Sequence, residues 1–204
     1  SGRLSVEGYP GLRANLRLLR PRHLRLQASF MTNRVLDMGS NDQQFWLWSS
    51  GQPVLYARHD QFSQSVASQV LPVEPTWLVD ALGLIHFDPQ GAHRGPFQRQ
   101  DGMIEVHTPL ATGTGQRIRV VAIHPQYAYI TEVQIRDQAG QLLALARADR
   151  HQYDATHHVA MPHRVRLELQ APQLAVQAFT FETDSYVINQ LQTVEANPQN
   201  GKPT

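Results

Sequence analysis

Ten histidines in 204 residues make metal chemistry the first activity to weigh. His151, His157, His158 and His163 lie close together, with the carboxylates of Asp149 and Asp154 beside them. Imidazole and carboxylate groups can hold zinc or iron, but only when their spacing aims them at one point. His157 and His158 are adjacent and would point to opposite faces of an extended backbone. No His-Glu-x-x-His spacing occurs in the chain. The cluster therefore reads as a polar loop and strand end, and no stoichiometric metal is expected. Nucleophilic and phosphate chemistry have no better footing. The chain has no Gly-x-Ser-x-Gly elbow, no phosphate-cradling glycine–lysine loop and no dinucleotide fingerprint, and Gly113-Thr114-Gly115 stands without the rest of such a pattern. Asp80 and Asp88 flank an apolar segment and read as solvated. Neither catalysis nor a cofactor is expected.

The densest aromatic run is Phe45-Trp46-Leu47-Trp48. In a strand, Phe45 and Leu47 face one side and Trp46 and Trp48 the other. One side must meet the core. The other is covered by a helix or lines a ligand cavity, and buried tryptophan is more often core.

The elements that would carry these residues are mostly strands. Leu12, Ala14, Leu16 and Leu18 alternate with Arg13, Asn15 and Arg17. After Pro21, Leu24, Leu26, Ala28 and Phe30 alternate with His23, Arg25, Gln27 and Ser29. Arginine at every second position suits a sheet with one wet face. Shared parity places Leu16, Leu18, Leu24, Leu26, Phe45 and Leu47 together on the other, helix-covered face, and Arg17 and Arg25 opposite. Met31-Thr32-Asn33, Gly39-Ser40-Asn41-Asp42 and Ser50-Gly51-Gln52-Pro53 read as turns in a meander of short strands. Residues 75–84 read as a helix of two or three turns, with Pro75 at its start, Gly83 past its end and Trp77, Leu78, Ala81 and Leu82 as one apolar stripe. Residues 87–115, rich in Gly, Pro, Gln and His, read as an irregular connection with a weak strand at 103–106. Strands are expected again at 117–124, 127–136, 142–153, 163–170 and 174–181, with a helical turn at 186–191. A frayed tail is expected at about 195–204.

Composition sets the outer limits. A hydrophobic content of 41% is ordinary for a globular chain. Eighteen basic and 17 acidic side chains leave a formal charge of +1, too small a field to favour nucleic acid as a partner. No run approaches the roughly 18 apolar residues of a membrane-spanning helix. There is no cysteine, which fits an oxidising compartment and the cytoplasm about equally. The chain passes from Ser1-Gly2 straight into strand-like alternation. An absent upstream segment is therefore expected, and with it any targeting signal, lipidated cysteine or membrane association. The length is compatible with one mainly β domain over 1–204.

Several short motifs carry a family resemblance. An opening strand is followed by Leu19-Arg20-Pro21, Leu24-Arg25-Leu26, and Gly39 ahead of Phe45-Trp46-Leu47-Trp48. Later come His124-Pro125, the 137–140 hairpin and Met161-Pro162-His163-Arg164-Val165. This succession, from Leu4 to about Phe181, resembles the LolA/LolB-like lipoprotein-carrier superfamily. The resemblance implies a strongly curved antiparallel sheet, an incomplete barrel, covered by a few short helices. It also implies an apolar cavity between sheet and helices that accepts acyl chains. Arg20 matches the family's arginine before proline, a residue implicated in closing the cavity lid. Leu24 stands where the family often has an aromatic, Asn41-Asp42 where Asp-Gly is usual, and the family's long N-terminal helix has no counterpart.

The implied cavity residues are Leu16, Leu18, Arg20, Leu24, Leu26, Phe45, Leu47, Trp77, Leu78 and Leu82. The implied partner is a lipid or lipidated protein, and the chain is expected to be a monomer at the periplasm or outer-membrane periphery. The alternative is a structural or assembly module on the same scaffold, its core filled by its own side chains. An enzyme is a distant third, and fold analogy alone decides none of these.

Overall fold

In a computed structural model, residues 1–6, 10–74, 76–112, 115–170 and 178–189 are described. The chain opens as a meander: β1 (Gly2–Val6), β2 (Leu12–Leu19), β3 (His23–Phe30), β4 (Asn33–Ser40), β5 (Gln44–Ser49) and β6 (Leu55–Arg58). Three short helices follow: a 3-10 helix (His59–Gln64), α1 (Val66–Val70) and α2 (Trp77–Ala81). A second meander completes the fold: β7 (Arg94–Gln98), β8 (Ile104–Thr112), β9 (Gly115–Ile123), β10 (Ile130–Arg136), β11 (Leu142–Asp154), β12 (Val159–Leu169) and β13 (Ala178–Thr183).

All 13 strands form one antiparallel sheet in the order β6-β5-β4-β3-β2-β1-β13-β12-β11-β10-β9-β8-β7. The two meanders are sealed in the middle by β1 against β13, where Leu4 pairs with Phe181. The free edges are β6 and β7, so the sheet does not close. The helices link one edge to the other, which sends them across the sheet's face.

That path forces the sheet to curl. Leu71, just after α1, packs in a cluster with Phe45 of β5 and Ala57 of β6. Trp77 begins α2, which packs on β10 and β11. In a flat sheet β5 and β10 would lie about 38 Å apart at the usual ~4.8 Å spacing. The chain from Leu71 to Trp77 can span only about 20 Å even when fully extended. The sheet therefore bends round its helices as an incomplete barrel, as the resemblance implies.

Several local expectations need correction. The stretch 87–115 contains β7, where no strand is expected, and β8, which extends the weak strand expected at 103–106 to Thr112. β7 is exposed along its whole length and carries Gly95 and Pro96 at a register shift. Proline is tolerated there because an edge strand has no partner on one side. Gly39 and Ser40 belong to β4, and the turn begins only at Asn41. A Cβ on Gly39 would overlap the six-membered ring of Trp46, its cross-strand partner. Gly39 is thus a seat for an indole and not a turn residue. The helix of two or three turns expected over 75–84 is the five-residue α2, followed by Leu82 and by Gly83, whose φ of +76° only glycine adopts freely, and Pro75 lies outside the described residues. Val79 is buried along with the expected stripe, so α2 is enclosed on more than one side. Residues 186–189 are not helical, and 190–204 and 174–177 lie outside the described residues.

Candidate ligand-binding face

Cross-strand register decides which side chains share a face. Leu16, Leu26, Met38, Leu47 and Leu55 are successive partners on β2 to β6. Leu18, Leu24, Ser40, Phe45 and Ala57 form the adjacent row on the same face. The second meander adds Val121, Val133, Ala146 and Leu167 as a further row. Leu24, Leu26, Met38, Val121, Val133, Ala146, Leu167 and the α2 residues Trp77, Leu78, Val79, Ala81 and Leu82 form one buried apolar cluster. The leucines of β2 and β3 therefore face α2 across the concave side.

The ten residues named from sequence divide unevenly. Leu24, Leu26, Phe45, Trp77, Leu78 and Leu82 are buried, while Leu16, Leu18 and Leu47 are half-buried against the same clusters. Arg20 is exposed in the turn between β2 and β3. Arg17 and Arg25 pair with each other on the convex face.

That convex face explains Trp46. Asp37, 5% exposed, accepts hydrogen bonds from Arg25 (3.2 and 2.8 Å), Gln27 (2.9 Å), Arg34 (3.2 Å) and the Trp46 indole (3.4 Å). Burial pushes the Asp37 carboxyl up, but these donors, Arg25 foremost, outweigh it and hold it below the usual range. Trp46 is thus covered by a polar cluster, neither by a helix nor by a ligand cavity.

The concave side also carries charge, which sequence reading missed. Arg119 on β9 pairs with Thr108 of β8 and Ile135 of β10, so its side chain shares the face of the core row. It is 8% exposed. Its Nη1 donates to Asp80 Oδ2 of α2 at 2.8 Å, and its guanidinium lies 5.8 Å from the Phe87 ring centre. The Arg119 Nε is buried and has no hydrogen-bond partner among the described residues. Burial pushes the Asp80 carboxyl above its usual range, and Arg119 only partly offsets this. Thr108 Oγ1 bonds His93 Nδ1 at 2.9 Å. Arg117 shares the parity of Arg119. Burial pushes its guanidinium down, against a weaker opposing pull from Glu74. Asp80 is therefore an inward ion-pair partner, whereas Asp88 is exposed and accepts from the Gln90 amide.

The signal for Arg119 was ambiguous. In β9 one parity holds Arg117, Arg119, Val121 and Ile123, and the other Gln116, Ile118, Val120 and Ala122. Both contain apolar residues, so alternation alone cannot say which side is inward.

The helical linker has its own polar clasp. His59 Nδ1 bonds Glu74, while Nε2 donates to the Asn41 carbonyl at 2.7 Å and lies 3.3 Å from Ser40 Oγ. A depression of about 430 Å³ opens beside the β6 edge, lined by Gln44, Tyr56, Arg58, Gln61 and Gln64.

The clustered histidines go to separate partners. His151 bonds the Ile130 carbonyl, His157 bonds Asp154, His158 bonds Tyr153 and His163 bonds the Thr183 carbonyl. Among the described residues no group of three or more His, Cys, Asp or Glu is placed to hold a metal. Among them, too, no helix is long and apolar enough to cross a membrane.

The sequence matches no protein-family model and no curated protein. Solved structures do resemble the fold. A domain from Vibrio parahaemolyticus assigned to outer-membrane lipoprotein sorting aligns with a TM-score of 0.56 at 11% identity, over 93% of this chain and 84% of that one. A LolA superfamily protein from Nitrosomonas europaea aligns at 0.49 and 11% identity, over 88% and 79%. A DUF1329 family protein from Desulfovibrio piger aligns at 0.48 and 9% identity, over 93% and 84%. The open antiparallel sheet wrapped round short helices is thus similar in fold to the Vibrio parahaemolyticus domain.

Proposed function

We propose that this chain is a non-enzymatic carrier that holds an acyl chain of a lipid or lipidated protein on its concave face. The observation that carries the reading is the mainly apolar concave face of β2 to β5 and β9 to β12, against which the short helices pack. The sorting role printed for the Vibrio parahaemolyticus domain supports the same reading, and on that reading the chain acts in the cell envelope, at the periplasm or outer-membrane periphery. Leu16, Leu18, Leu24, Leu26, Phe45 and Leu47 form the floor on this reading. Trp77, Leu78 and Leu82 form the lid. The chain works as a monomer, since a concave face needs no second copy to be complete.

In the state described, the lid side chains fill the space a ligand would take, so binding requires α2 to lift. Re-exposing Trp77, Leu78, Val79 and Leu82 costs roughly 6–12 kcal/mol, while burying an acyl chain of about 14 methylenes returns about 11 kcal/mol. The two are of similar size, which suits a carrier that must also release. The test is titration with an acyl-chain fluorophore, competed by a fatty acid. Saturable, competable fluorescence is expected. Leu24→Glu and Leu82→Glu should weaken it while the far-UV spectrum stays β-rich, because a buried carboxylate opposes an acyl chain. No saturable signal, together with slow hydrogen exchange throughout α2, would sink the carrier reading.

A further inference from the structure

Taking the concave face as the acyl-binding surface, we infer that Arg119 is an anchor for an anionic head group. The preferred cargo is then an amphipathic acid whose carboxylate or phosphate replaces Asp80 on the guanidinium. Three observations carry this. Arg119 projects from the middle of β9 onto the apolar face and is 8% exposed. Its Nη1 is held by Asp80, but its Nε is buried with no partner among the described residues, so the fork is incompletely used there. Arginine's donors match a carboxylate or phosphate in two parallel bonds. Asp80 sits on α2, the element that must lift for an acyl chain to enter.

These facts couple head recognition to opening. When α2 lifts, Asp80 leaves, and Arg119 becomes a cation on an apolar surface. A neutral lipid would seal that cation in without a partner, which is costly. An acid supplies the missing charge and can also reach Nε. Thr108, the cross-strand partner of Arg119, puts a hydroxyl beside it, and Arg117 on the same face adds a second positive charge nearby. Phe87, against the guanidinium, limits access of water.

The experiment uses the wild-type chain and three ligands of one length: dodecanoate, dodecyl phosphate and 1-dodecanol, with inorganic phosphate as the free-anion control. Calorimetric titration should give at least tenfold tighter binding for both anionic ligands than for the alcohol, with inorganic phosphate failing to displace either. Arg119→Gln should bring the acid-to-alcohol ratio near one, by weakening the acids and by sparing the alcohol an unpaired cation, and Asp80→Asn should raise affinity for the acids. If Arg119→Gln fails to fold, the double variant Asp80→Asn/Arg119→Gln removes both charges and should show the same loss of preference. Equal wild-type affinity for acid and alcohol would overturn the anchor and leave the carrier standing, as would a preference that survives loss of Arg119. Displacement by inorganic phosphate would overturn it in favour of a free-anion site. Failure of all three long-chain ligands to saturate would remove the carrier reading and the anchor with it.

Discussion

Two carboxylates meet arginines on opposite faces of this sheet, and they are built differently. Asp37, on the convex face, is gripped by Arg25, Arg34, Gln27 and Trp46, three of them on neighbouring strands of one rigid meander. Asp80, on the concave face, bonds Arg119 from a five-residue helix that links the sheet's two free edges. Several donors hold the first carboxyl below its usual range, whereas burial with a single arginine leaves the second above it. A carboxylate satisfied by several fixed donors is structural. One held by a single donor across a movable contact can be exchanged.

Breaking the first site should have the largest effect. Asp37→Ala strands Arg25 beside a buried indole, and losing one partner of a buried pair costs about 3–5 kcal/mol. A urea midpoint shifted by less than a quarter of that would show that the cluster is ornamental. The pH dependence sharpens the contrast. The Asp37 contribution is present above its unfolded value, near 3.8, and is lost as pH falls through its lower folded value. For Asp80 the sign is opposite: its contribution is complete below 3.8 and is lost as pH rises through its raised folded value. Between those limits Asp37→Asn should leave the slope of stability against pH unchanged, while Asp80→Asn should flatten it.

Gly39→Ala tests the same face through packing. The added methyl must displace the Trp46 ring, and such overpacking typically costs about 1–3 kcal/mol. The displaced indole should lose its bond to Asp37, read as a red shift in tryptophan emission. An unchanged spectrum with unchanged stability would mean that the indole has room to spare.

Asp80→Asn should be milder. Asparagine keeps the shape and one acceptor for Arg119, so global stability should change by about 1 kcal/mol or less. The effect should concentrate in α2, where hydrogen exchange should speed up roughly tenfold while β10 to β12 stay protected. Uniform acceleration through the sheet would erase the distinction between the two sites.

What the sequence disclosed follows the same division. β2 and β3 were legible because Arg17 and Arg25 mark the wet face and Leu16, Leu18, Leu24 and Leu26 the dry one. β9 was opaque because its inward parity mixes arginine with valine and its outward parity is apolar too. β7 was hidden by Gly95 and Pro96, residues that an unpaired edge tolerates and an interior strand would not. The 3-10 helix and α1 are too short to show a helical period, and neither has a side-chain cap to announce it. The Asp80–Arg119 pair spans 39 positions, and only the curl of the sheet brings its members together.

The smallest expected effect lies at the clasp between β6 and the helices. Burial lowers the affinity of His59 for a proton, and Arg22 lowers it further. The bond to Glu74 and the Asn41 carbonyl outweigh both, so the imidazole is held above its ordinary value of 6.5. Its contribution is therefore complete below pH 6.5 and is lost as pH rises through the folded value. Glu74 is partly exposed, which screens the pair and limits the effect to about 1 kcal/mol or less. The clasp secures the segment that leads to α2, so its release should loosen the helices and leave the sheet intact. Raising the pH from 6 to 8.5 should speed hydrogen exchange across the 3-10 helix and α1, and His59→Gln should show the faster rate at both values. If the wild-type rates, corrected for intrinsic exchange, do not change with pH, the clasp contributes nothing and α2 is held by Asp80 and its apolar neighbours alone.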